Sequence, residues 1–246
     1  MALTSRLRRI VKPLFPSRWR RFLRAVQRDL VFRRAMKRFL KSPETPREFD
    51  DPVLLDLVYG WGNESWCGRG EFLADCINQA ITSRGAILEC GSGLSTILVG
   101  AIAKKRKQKP FALEHLPQWA DRVQKCLDRY HVNSVTLCST PLIDYGGFHW
   151  YHTSRESLPG NFGLVICDGP PGGTMGGRYG LVPVMRGRLT PGCIILLDDA
   201  LRDEELAVAR RWEEEIDATV ECLGERKPYI RVTVTGRAGR QLQQPA

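Results

Sequence analysis

Four apolar runs in this chain end on acidic residues. "AILEC" carries Glu89 just before a turn with Gly91 and Gly93, and Ser95 and Thr96 follow. "PFALE" ends on Glu114, "GLVIC" runs into Asp168, and "CIILL" runs into Asp198 and Asp199. A carboxylate at the end of a buried run can pair with a cation, accept from hydroxyls, or take up a proton. Glycines beside it let a ligand approach the backbone closely. These residues therefore bound the chemistry before any fold is considered.

The glycine turn resembles a phosphate cradle but does not match one. A dinucleotide fingerprint needs a small third position after Gly91 and Gly93, and Thr96 stands there. A triphosphate loop needs a lysine, and the turn has none. Glu89 would repel a pyrophosphate. It suits a ligand of positive charge, such as S-adenosylmethionine, whose sulfonium and ammonium are balanced by one carboxylate. Ser95 and Thr96 either bond that carboxylate or cap the following helix. Glu114 can accept both hydroxyls of an adenosine ribose, a feature shared by NAD and S-adenosylmethionine sites.

The elements that carry these residues alternate. Strands are expected at 86–90, 110–114, 134–138, 163–167 and 193–197, with helices near 70–82, 95–106, 117–130 and 203–216. An apolar segment lies around 180–189, and "TVECLG" and "YIRVTVT" close the pattern as two β-rich stretches with a short link. Alternation predicts an α/β fold with a mostly parallel sheet covered on both faces, and the last pair predicts an antiparallel end. Between the third and fourth of these strands, Gly146-Gly147 flanked by aromatic arms predicts a hairpin.

On the motifs "LECGSG", "ALEH", "VICDGPPGG" and "ILLDDA", residues 55–236 resemble class I S-adenosylmethionine-dependent methyltransferases. The resemblance implies a Rossmann-like sheet of seven strands with the last antiparallel. It implies that Glu89, Gly91 and Gly93 hold the methionine part of the cofactor and Glu114 the ribose, with His115 and Cys138-Ser139 near adenine. For His115 a surface loop position is the alternative. The strand order of that fold brings Asp168 beside Asp198 and Asp199. This resembles metal-dependent O-methyltransferases, including those acting on sugars, and implies Mg²⁺ that lowers the pKa of a substrate hydroxyl. Other roles stay open: Asp168 as a lone general base, Asp199 as a helix cap, Asp198 bonded to Arg202.

The expected acceptor is a hydroxyl on a sugar, a glycan precursor or a small molecule. Gly172 stands where base-modifying enzymes carry a stacking aromatic after Pro-Pro, so nucleic acid is not the expected substrate. His149 and His152 are alternative bases, and Arg178-Tyr179 a possible grip on an anion or sugar. Trp61, Asn63 and Trp66 precede the first strand, where this fold often places a lid that stacks on a substrate; core packing is the default for Trp. The competing readings are an NAD-dependent oxidoreductase and a non-catalytic membrane or assembly module that keeps the fold.

Charge divides the chain. Residues 1–41 hold fourteen Lys or Arg and one acid, for +13, which leaves −3 for the remainder of a chain at +10. From Ser17, Trp19, Phe22, Leu23, Val26 and Leu30 recur at helical spacing among arginines, and Ser42-Pro43 supplies a stop. Such a helix suits an anionic membrane surface through residues 17–41, or packs on its own domain. The organisation expected is a basic helical extension over 1–45, a linker and helical lid over 46–84, the α/β domain over 85–236 and a polar tail over 237–246. Eight cysteines without a C-x-x-C pair argue for reduced thiols, hence a cytoplasmic protein, peripheral on the inner face of a membrane if the helix binds there.

Overall fold

A computed structural model describes residues 17–62, 70–153 and 158–236. Helix α1 (Ser17–Phe39) is followed by α2 (Pro52–Trp61) and α3 (Glu71–Thr82). The alternating part runs β1 (Ala86–Cys90), α4 (Leu94–Arg106), β2 (Phe111–Glu114), α5 (Pro117–Arg129) and β3 (Thr136–Ser139). A hairpin, β4 (Leu142–Asp144) and β5 (His149–Tyr151), precedes β6 (Phe162–Cys167), α6 (Leu181–Met185), β7 (Leu189–Leu197), α7 (Asp203–Glu215), β8 (Ala218–Leu223) and β9 (Tyr229–Val234).

Seven strands form one sheet in the order β3-β2-β1-β6-β7-β9-β8. β9 runs antiparallel to both neighbours, and the other inter-strand pairs are parallel. This is the α/β, Rossmann-like sheet with an antiparallel last strand that the alternation predicts. Parallel strands need both faces covered, and alternate side chains feed two separate cores. Ile87, Leu164, Ile166 and Leu196 face α3 and α4 in one core, whereas Leu88, Val165, Cys167 and Leu197 lie in the other with the hairpin and α7.

The hairpin forms as expected. Gly146 and Gly147 both have positive φ, which a two-residue turn of this hand requires, and Tyr145 N–H donates to the Phe148 carbonyl at 2.9 Å. It drives Trp150 and Tyr151 into the interior, where Gly180 and Gly169 leave them room: an added Cβ would stand 2.8 Å from the Trp150 ring and 2.6 Å from the Tyr151 hydroxyl.

The C-terminal half of α1 packs on its own domain, one of the two arrangements expected for this helix. Phe32, Met36 and Phe39 of α1 are buried in the same core as Ile87 and Leu164. Each contributes about 1.5–3 kcal/mol by leaving water. Arg47, in the stretch expected as a linker, is held to α3 by a reciprocal pair: its N–H donates to Asn78 Oδ1, and Asn78 Nδ2 donates to its carbonyl, both at 2.9 Å. Asp51 caps α2 by accepting from Val53 N–H at 2.7 Å, and Pro52 takes the first helical position. Trp61 is core rather than lid: it is buried against Phe32 and Trp119, with the Arg122 guanidinium 4.7 Å from its ring. Asn63 and Trp66 lie outside the described residues.

Gly60 sets the contact of α1 with α2, because a Cβ there would lie 2.6 Å from Phe32 Cβ and 2.8 Å from its backbone. Gly60→Ala is expected to loosen α1 at a cost of about 1–3 kcal/mol. Faster tryptic cleavage within α1, with cofactor binding retained, is the readout; unchanged cleavage would show that α1 does not depend on this contact.

Candidate active site

The register of the sheet gathers the acids. Cys90, Cys167 and Leu197 lie side by side on β1, β6 and β7, so Gly91, Asp168 and Asp198 leave the sheet at one level. Asp168 N–H donates to the Cys90 carbonyl at 3.0 Å, and Asp198 N–H to the Cys167 carbonyl at 3.2 Å. Above this edge lies a cavity of about 780 Å³, within the range of small-molecule sites. Its walls include Gly91, Gly93, Ser95, Glu114, His115, Tyr151, Asp168, Asp198 and Asp199.

The glycine turn forms the floor. Gly91 has φ +85, and its Cβ position lies 3.0 Å from Gly169 N, so two backbones touch where side chains would collide. A Cβ on Gly93 would meet nothing within 4 Å. That glycine therefore leaves space for a ligand rather than for a protein neighbour. Thr96 Oγ1 accepts from Gly93 N–H at 2.8 Å and caps α4. Ser95 instead donates to Glu89 at 2.5 Å.

Glu89 is 3% exposed and lies beneath the cavity wall rather than in it. Burial pushes its pKa up to about 8; Ser95 and Thr96 pull it down, and Asp168 and Glu114 add to the rise. An approaching cation would favour its ionised form. Glu114 accepts from Ser92 N–H and Oγ at 3.0 and 2.9 Å and from Leu116 N–H at 2.9 Å, and it still faces the cavity. Two carboxylate oxygens offer about four acceptor positions, so with three taken one remains for a ligand hydroxyl.

Among the described residues, five on the cavity wall carry a buried polar side-chain atom outside hydrogen-bond geometry: His115 Nδ1, Tyr151 Oη, Arg178 Nε, Asp198 Oδ1 and Glu205 Oε2, of which His115 Nδ1 lies 3.2 Å from Glu114 Oε1 and Arg178 Nε 3.6 Å from Glu205 Oε1. Such atoms cost free energy unless something bonds them, and their convergence on one cavity fits a polar ligand. His115 is thus a wall residue and not a surface one. Ser139 is exposed at the end of β3 and forms no part of the wall, because β3 is the sheet edge and its end stops short of the cavity. His149 and His152 are likewise absent from it. Tyr179 is turned away, its hydroxyl donating to Glu215 at 2.5 Å.

Asp168, Asp198 and Asp199 converge as the strand order predicts: one carboxylate oxygen from each lies within 4.8 Å of the others. The cations among them are side chains. Arg178, 2% exposed, donates through Nη2 to Asp168 Oδ1 at 3.2 Å and Asp199 Oδ2 at 3.1 Å, and through Nη1 to the Asp198 carbonyl at 2.7 Å. Lys227 Nζ stands 2.6 Å from Asp198 Oδ2 and 3.3 Å from Asp199 Oδ1. Arg202 pairs with Asp199 at 3.0 Å and not with Asp198. With Glu205, 3.6 Å from Arg178 Nε, four carboxylates face three cations. A divalent ion needs carboxylates with unshared charge, so this set as arranged does not fit a resident Mg²⁺.

Their titration follows from that packing. Burial pushes Asp168 up to about 7 against the opposing pull of Arg178, and Asp198 adds to the rise. Burial also works upward on Asp199, but Lys227, Arg178 and Arg202 outweigh it and hold its pKa low. Burial disfavours the charge on Lys227, yet Asp198 raises its pKa.

Sequence reasoning missed Lys227, Glu205 and Tyr151 as wall residues, and Arg178, expected to grip a substrate, instead pairs with Asp168 and Asp199. The signal for Arg178 and Lys227 was the acid cluster itself, which demands nearby cations. Lys227 sits in the β8–β9 turn, and Glu71 at the start of α3 holds that turn by accepting from Glu225 N–H at 2.9 Å and Arg226 N–H at 3.3 Å.

No family model matches the chain, and no curated protein matches its sequence. Solved structures do match its fold. A precorrin-6y C5,15-methyltransferase from Geobacter metallireducens superposes with a TM-score of 0.52 at 18% identity, over 70% of this chain and 92% of that one. A Podospora anserina methyltransferase bound to S-adenosylhomocysteine gives 0.49 at 17% identity, over 78% and 99%. An O-methyltransferase from Bacillus cereus, in complex with the same product, gives 0.47 at 17%, over 67% and 80%. The chain has the class I S-adenosylmethionine-dependent methyltransferase fold.

Proposed function

We propose that this chain is an S-adenosylmethionine-dependent O-methyltransferase acting on a hydroxyl of a sugar, a glycan precursor or a small molecule. The observation that carries the reading is Asp168: a carboxylate on the cavity wall, beside the glycine turn, with a pKa of about 7. A general base works best when its pKa lies near the working pH. Gly91, Gly93 and Glu114 would hold the cofactor, with Glu89 supplying negative charge beneath it and His115 at the wall. Bound there, S-adenosylmethionine supplies an electrophilic methyl group.

Asp168 takes the proton of the acceptor hydroxyl as the oxygen becomes a nucleophile. Arg178, behind it, fixes the carboxylate and keeps part of it ionised near neutrality. Lys227 and Arg178 balance Asp198 and Asp199, the charge role otherwise expected of Mg²⁺. Asp198 Oδ1 and Glu205 Oε2 lie unsatisfied just behind the wall, and a small shift that opened them to a polyol's neighbouring hydroxyls would satisfy both, which is why a sugar is the preferred substrate class. A membrane-associated glycan precursor, met from the cytoplasmic side, fits the same reading. A Mg²⁺ ion that displaced Lys227 is the competing reading, and the convergence of three carboxylates is what favours it.

Labelled methyl transfer from S-adenosylmethionine into fractionated cell extract tests the class: label in glycan or polyol fractions supports it, and label confined to RNA or protein would contradict it. In that assay EDTA should leave transfer intact, and Asp168→Asn should lower turnover by about 10²–10⁴-fold. The sign of the pH dependence follows from a base that must be ionised: kcat/KM should fall as pH drops below about 7, approaching tenfold per unit. Loss of transfer in EDTA with recovery in Mg²⁺ would favour the ion instead.

Gly93→Ala places a methyl group in the cavity and should weaken S-adenosylhomocysteine binding by at least about tenfold with the melting temperature little changed. Gly169→Ala meets Tyr151 and Gly91 backbone and should lower the melting temperature itself, by about 2–4 °C for each kcal/mol lost. Equal effects on binding and melting in both variants would remove the distinction.

A further inference from the structure

Helix α1 has two apolar faces, and only one is used. Phe32, Ala35, Met36 and Phe39 pack into the domain. Trp19, Phe22, Leu23, Val26 and Leu30 are 41–58% exposed. At about 100° per residue the exposed set spans a stripe of roughly 100°, and its centre lies roughly 140° around the helix from the buried set. The stripe is therefore not a frayed continuation of the domain contact. It points the other way. From Arg18 to Gln27 no residue is buried, so about three turns of helix stand clear of the body.

The charges say what the stripe meets. Arg18 and Arg20 border it, Arg21 and Arg24 lie behind, and no acid appears before Asp29. Further along, exposed Arg33, Arg34 and Lys37 continue the same line of the helix. Residues 1–16 add Arg6, Arg8, Arg9 and Lys12 without an acid. A second copy of this chain would bring the same arginines into repulsion. A nucleic acid would use the arginines but leave five large apolar side chains in water. An anionic lipid surface satisfies both, since apolar groups enter the acyl boundary while arginines stay among phosphates. No described helix is long and apolar enough to cross a membrane, so the contact is peripheral.

We propose that the first half of α1 lies in the surface of an anionic membrane, with Trp19, Phe22, Leu23, Val26 and Leu30 inserted and Arg33, Arg34 and Lys37 against the headgroups. The cavity and its acids take no part in this contact, so it stands whether or not the site transfers a methyl group to a sugar.

The test is flotation of the full chain with phosphatidylcholine vesicles, with and without about 30 mol% phosphatidylglycerol. Binding should be at least about tenfold stronger to the anionic vesicles and should fall severalfold in about 0.5 M NaCl. The double substitution Trp19→Ser/Phe22→Ser should cut it by at least about tenfold. Circular dichroism and S-adenosylhomocysteine binding should match the unmodified chain, because both side chains are exposed. Equal binding to neutral vesicles, or binding unchanged by the double substitution, would overturn the proposal. So would a dimer in sedimentation equilibrium that the substitution dissociates, or a single-stranded RNA that displaces the chain from anionic vesicles.

Discussion

A buried guanidinium holds the carboxyl edge of this sheet together. Arg178 reaches the carbonyls of Asp168 and Asp198 and the carboxylates of Asp168 and Asp199, so it ties the ends of β6 and β7 to each other. Without it, three aspartates and Glu205 would be driven apart or forced to take up protons. Breaking a buried pair leaves an uncompensated charge at a cost of about 3–5 kcal/mol. The convergence of these acids on one polar cavity rests on that cation, which also restrains the burial-driven rise in the Asp168 pKa, while Lys227 pairs with Asp198 and Asp199.

The scaffold serves this edge from a distance. Glu71 belongs to α3, before the sheet begins, yet it holds the turn that carries Lys227. Asp75, one turn later, accepts from the Tyr229 hydroxyl at 2.9 Å and from Arg231 at 2.8 Å, pinning β9 to the same helix. The hairpin between β3 and β6 sends the Tyr151 hydroxyl to the cavity wall, and Gly169 accommodates it. Residues far apart in sequence thus set the shape of one pocket, and a change in α3 would be felt at Lys227.

Much of this was legible in the sequence, for physical reasons that differ by element. Parallel strands buried on both faces read as uninterrupted apolar runs, so β1, β2, β6 and β7 stand out together with the acids that end them. The Gly146-Gly147 turn announces its hairpin because only residues at ease with positive φ close so tight a loop. The N-terminal region was less legible. A helix with two apolar faces looks amphipathic from either, and sequence periodicity does not say which face the domain takes. Trp61 sits where a lid could form and is core by contact, the default for a tryptophan. Lys227 gave no local signal, since its role depends on a turn that returns from the far end of the sheet. Ser139 illustrates the converse, a residue at the correct strand end that the sheet edge carries away from the cavity.

Glu89 remains the residue on which the cofactor assignment turns. It is an acid buried beneath a glycine turn, with a pKa of about 8, and it should ionise when a cationic cofactor binds above it. Calorimetric titration with S-adenosylmethionine at pH 7, in two buffers of different ionisation enthalpy, measures the protons released. Release approaching one proton in the unmodified chain, and clearly less in Glu89→Gln, is the expected result. Tight binding of NAD with none of S-adenosylmethionine, or proton release identical in the two proteins, would contradict it.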